Sequence, residues 1–139
     1  MLALLIGFGL VFLMGIGHHF ALLGLWKMTG DAQQHPNRVI IKVFLGLLVI
    51  HLLEIVFFAV GYSVLITWEG MGKLNQFDVS WSELIYFSGI NFTTLGYTQI
   101  EASGPIRLVN MMQALGGFMV LTWSATFIYS VWKKALEAL

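Results

Sequence analysis

Three long apolar stretches, at residues 1–26, 39–68 and 106–132, constrain this chain more than any other feature. A helix crossing a bilayer needs about 20 predominantly apolar residues, and each stretch is long enough. In lipid a helix satisfies its own backbone hydrogen bonds, so the expected fold class is an all-α integral membrane protein. Composition agrees: 58% of the 139 residues are hydrophobic and 10% are charged, whereas soluble domains carry about 25% charged residues. The first stretch has no charge before Lys27. A signal peptide would open with a positive segment and close on small residues, so residues 1–26 are read as a transmembrane helix. The second is interrupted by Lys42, His51 and Glu54, with Lys42 near enough to the end to snorkel. The third is closed by Lys133 and Lys134.

Between the second and third stretches lies a segment of another kind. Residues 81–93 are aromatic and amphipathic but too short to cross a bilayer, which suits a re-entrant helix. Ser80 and Glu83 have capping-box spacing at its start. The run Thr94, Leu95, Gly96, Tyr97, Thr98 follows it. A dehydrating cation needs oxygen ligands, and extended backbones from several chains can turn rings of carbonyls toward one axis. Thr94 would add a hydroxyl ring, Gly96 backbone freedom, and Tyr97 a brace on the wall. The carbonyl end of the short helix would favour a cation below the run, with Tyr86 and Phe87 packed behind it.

This arrangement resembles the potassium-channel pore-domain family, whose filters read Thr-Val-Gly-Tyr-Gly. Thr94, Leu95, Gly96 and Tyr97 fit that pattern, and Thr98 departs from it. With the additional first helix, the chain is similar to small three-span bacterial proteins of the two-helix channel superfamily. The resemblance implies a pore domain over residues 38–133: outer helix 39–68, pore helix 81–93, filter 94–98 and inner helix 106–132. It also implies a homotetramer around a potassium ion, or a sodium ion, with membrane lipid as the other partner. A β-branched residue at the outer filter position changes backbone shape there, so weakened potassium selectivity is expected.

Charge sets the topology. Lys27, Arg38 and Lys42 lie at one end of the first two spans, and Lys133 and Lys134 close the third. The positive-inside rule puts these inside, with the N-terminus and filter outside and the C-terminus cytoplasmic; compactness and the resemblance imply the cell's inner (plasma) membrane. Asp78 and Glu101 form either an acidic outer vestibule or a solvated loop. Gly116 and Gly117, midway along the third span, are read as a gating hinge or as a close-packing site. Ser124, Thr122 and Asn110 either line the permeation path or bond within the bundle, with Ser124 the choice for the cavity.

Away from the ends of the first two spans sit His18, His19, His51 and Glu54. His51 and Glu54 share a helix face. His19 and His51 both lie roughly 12–14 Å from the inner charges at about 1.5 Å per residue. One polar layer can therefore hold His18 or His19 with His51 and Glu54. Three readings stay open: a hydrogen-bonded joint between spans, a pH sensor, or a divalent-metal site.

The leading function is a cation channel. The runner-up is a non-conducting protein that keeps the pore fold as a sensor or accessory subunit. Catalysis is not expected, because no nucleophile and base cluster. Zero net charge gives a nucleic-acid partner no electrostatic support. The chain has no cysteine, so thiolate sites are excluded. No organic cofactor and no soluble regulatory domain are expected.

Overall fold

The computed structural model describes residues 1–30, 34–75, 80–96 and 100–136. Among these, Leu2–Lys27 forms α1, Pro36–Leu65 α2, Lys73–Asn75 β1, Trp81–Phe92 α3, Glu101–Ser103 β2 and Ile106–Leu136 α4. Three helices, α1, α2 and α4, are long and apolar enough to cross a membrane. Their outer faces carry exposed Phe8, Phe12, Phe44, Leu48, Phe118 and Tyr129, as lipid contact requires.

Helix boundaries differ from those read in the sequence. The second helix begins at Pro36 rather than 39 and ends at Leu65 rather than 68. Proline suits a first helical position, because its φ is preset and its missing N–H has no intrahelical use there. Beyond Leu65 the bonds tighten, with Thr67 donating to Val64 and Trp68 to Leu65. The last helix runs to Leu136 rather than 132, since Val131 and Ala135 still bury an apolar face.

Two apolar clusters hold the bundle. One gathers Met14, Phe58, Tyr62, Phe87, Phe92 and Val109. The other, at the opposite end, gathers Leu22, Val39, Val43, Leu47, Val131 and Ala135. At that end Lys134 Nζ donates to Thr29 Oγ1 (3.1 Å) and lies 4.9 Å from the Trp26 ring centroid. The basic ends of α1 and α4 therefore meet on one side.

A two-stranded antiparallel ribbon occupies the other side, pairing Lys73 with Ser103 and Asn75 with Glu101. Strands of three residues carry too little periodicity to be legible in the sequence. At Gly72 a Cβ would sit 2.0 Å from the Ser103 carbonyl oxygen, so only glycine admits this approach. The ribbon ties the segment before α3 to the segment after residue 100. The chain thus descends through α3 and returns to the same side.

Candidate functional site

The descending helix α3 starts with the Ser80 half of the expected capping box. Ser80 Oγ accepts from the Glu83 N–H at 3.3 Å. Its buried face, Leu84, Phe87, Ser88, Asn91 and Phe92, points into the bundle. Phe87 meets Tyr62 edge-on, with centroids 5.1 Å apart, while Tyr86 is exposed.

The end of α3 is shaped by a Schellman motif. The Leu95 N–H donates to the Ile90 carbonyl (3.2 Å) and the Thr94 N–H to that of Asn91 (3.1 Å). Thr94 occupies the position after the cap, usually glycine, and has φ +59°. Gly96 follows with φ +64°. Leu95 between them is not left-handed, so handedness alternates along the three residues. Thr93, Thr94, Leu95 and Gly96 are all exposed in the single chain. Tyr97 and Thr98, expected in the same run, lie outside the described residues, as does Asp78. Glu101 is exposed in β2.

Polar side chains missed by sequence reasoning fix α3 in place. Tyr62 Oη donates to Gln113 Oε1 at 2.8 Å. Gln113 Nε2 reaches Ser88 Oγ at 2.7 Å and the Ser88 carbonyl at 3.1 Å. Ser88 Oγ donates to the Ile55 carbonyl at 2.7 Å. This buried chain links α2, α3 and α4. Asn110 joins it, accepting from Tyr62 Oη at 3.2 Å. The available signal was the stripe Asn110, Gln113, Gly117, Ser124 on one face of an otherwise apolar helix. Asn91 Nδ2 is buried with no partner among the described residues.

Gly117 lets α4 touch the carbonyl end of α3: a Cβ there would lie 2.2 Å from the Phe92 oxygen. Gly116 faces α1, where a Cβ would meet Val11 at 2.8 Å. Both glycines act in close packing, and α4 runs unbroken through them. Ser124 is buried against α1 rather than open to a cavity; its Oγ lies 3.4 Å from His18 Nε2. Thr122 is exposed and donates to the Met119 carbonyl of its own helix.

The structure joins three of the four ionisable membrane residues. Glu54 Oε1 accepts from His18 Nδ1 and Oε2 from His51 Nδ1, both at 2.8 Å. The two imidazoles stack, with centroids 5.7 Å apart and planes 19° from parallel. His19, exposed on the next face of α1, does not take part; its ring lies 5.8 Å from Trp123. The His51 ring lies 5.6 Å from Phe92, the last residue of α3.

The short helix α3, the left-handed residues at its end and the membrane-capable α4 follow one another, and a family model described as ion channel matches residues 47–134. The chain belongs to this ion channel family. The match spans well over half of the chain, from mid-α2 through α3 to the end of α4. The uncharacterized membrane protein YdjJ of Bacillus subtilis (strain 168) is 38% identical to this channel over 53 residues. Those residues are 37% of this chain and 16% of that relative, so the chain spans a small part of the relative's length. No solved structure matches the chain.

Proposed function

We propose that the protein is a homotetrameric cation channel whose filter is formed by Thr94, Leu95, Gly96, Tyr97 and Thr98. The observation that carries this reading is the handed alternation at Thr94 and Gly96, directly after the capped end of α3. In ordinary strands successive peptide groups face opposite ways, whereas alternating left- and right-handed residues turn them to one side. Aligned carbonyls are what a dehydrated cation needs. Exposure of residues 93–96 adds support: non-helical backbone at membrane depth must be buried in protein or line water. Three further chains supply that surround.

In this reading the basic ends at Lys27 and Lys134 face the cytoplasm, and the ribbon and filter face outward across the plasma membrane. Gly116 and Gly117 set how closely the inner helix approaches the pore helix, and hinge bending there remains part of the proposal. Thr98 replaces the outer glycine, so discrimination between potassium and sodium is weak. Reversal potentials of the purified protein in planar bilayers with mixed potassium and sodium test this. The expected potential lies near that of an unselective cation pore, and Thr98→Gly shifts it toward the potassium limit. A strongly potassium-selective wild-type current overturns the selectivity claim. Absence of any flux that depends on Thr94 and Gly96 overturns the channel reading in favour of a non-conducting sensor.

A further inference from the structure

We propose that His18, His51 and Glu54 form a binding site for a divalent transition-metal ion of the zinc class. One ligand atom from each residue lies within 4.8 Å of the others. A tetrahedral ion with bonds of about 2.1 Å holds its ligands about 3.4 Å apart, so modest side-chain movement closes the set. Two imidazole nitrogens and one carboxylate oxygen are borderline donors that suit zinc, cobalt or nickel over magnesium or calcium. Three protein ligands leave a fourth position for water.

Glu54 is buried at membrane depth between His18 and His51. Lys42, the nearest charge toward the N-terminus of α2, lies about 18 Å away along the helix. Ionisable groups inside a membrane span are costly and mark functional sites, and a divalent cation held by all three residues sets an opposite charge against the carboxylate.

The surroundings have the features of a metal site. Trp123, 5.4 Å from the His18 ring, and Phe92 beside His51 make an apolar wall. Ser124 Oγ lies beside His18 Nε2, on the far side of the ring from Glu54. When the metal takes Nδ1 of His18, the ring proton resides on Nε2 and Ser124 accepts it, which fixes the tautomer. A cleft of about 270 Å³ between α1 and α2, bordered by Gly17, Ala21 and Leu53, reaches His18 and Glu54 and leaves room beside them. The site abuts Phe92 at the foot of the proposed filter, yet it does not depend on conduction.

The test uses the full chain, purified in detergent, stripped by chelator and supplied with zinc or cobalt alone. Elemental analysis is expected to give one ion per chain, and cobalt is expected to show the intense visible bands of tetrahedral coordination. His51→Ala and Glu54→Gln abolish both signals. Ser124→Ala weakens binding about 10–100-fold, and His19→Ala leaves it unchanged. Wild-type protein that takes up no stoichiometric metal overturns the proposal, and the layer is then a proton-bonded joint. Equal uptake by wild type, His51→Ala and Glu54→Gln overturns it too. If those two variants fail to fold, wild-type stoichiometry and the cobalt spectrum decide alone. Because no readout involves flux, a negative result here leaves the channel reading intact.

Discussion

Thr94 holds φ at +59° although it is β-branched. A side chain in the left-handed region costs about 1–2 kcal/mol, so an unconstrained sequence would place glycine there. Strain kept at a helix end, where carbonyl and hydroxyl oxygens gather, points to a role for the side chain itself. Thr94→Gly should relieve the strain, offset by the entropy glycine loses on folding, about 0.5–1 kcal/mol. The expected outcome is an unchanged or slightly raised melting temperature together with a weaker preference for cations over anions. Thermal unfolding and reversal potentials on the same preparation check both halves. Glu54 shows the same economy at another residue: both carboxylate oxygens are used, one for each histidine.

At the scale of elements, the position of α3 depends on polar contacts rather than on apolar area alone. Gln113 bridges Tyr62 of α2 and Ser88 of α3, and all three are fully buried. Gln113→Leu keeps volume but removes the Tyr62 hydroxyl's 2.8 Å acceptor, leaving it Asn110 Oδ1 at 3.2 Å, and removes the Nε2 bonds to Ser88. Each hydrogen bond lost costs about 0.5–1.5 kcal/mol net. The variant should therefore melt earlier and shift the pore helix, seen as lost thermal stability and altered conductance. The helix types and the Ser80 cap were legible in the sequence because apolar length and capping chemistry are local. The ribbon and this network were not, since each joins residues 25 or more positions apart.

For the whole molecule, the proposed filter and the exposed residues 93–96 call for a closed assembly of several chains. A ring of carbonyls needs several copies, and cyclic symmetry supplies them without an open edge. In mild detergent the protein should therefore sediment or elute at four times its chain mass. Light scattering corrected for detergent measures this, and a stable monomer would remove the basis of the pore. Zinc need not change that mass, because all three proposed ligands come from one chain.

By itself the sequence determined the membrane class, the three apolar spans and the short capped helix between the second and third. These follow from apolar length, charge placement and helical rise, all readable along one chain. Which histidine joins Glu54 was a matter of tertiary structure. His18 and His19 are neighbours at the same depth, but consecutive residues on a helix face about 100° apart, and only the packing of α1 on α2 and α4 selects His18. The same packing turned Ser124 from an expected cavity position to a partner of that histidine, and Gly116 and Gly117 into contact points for α1 and α3. Direction around a helix has meaning only once its neighbours are in place.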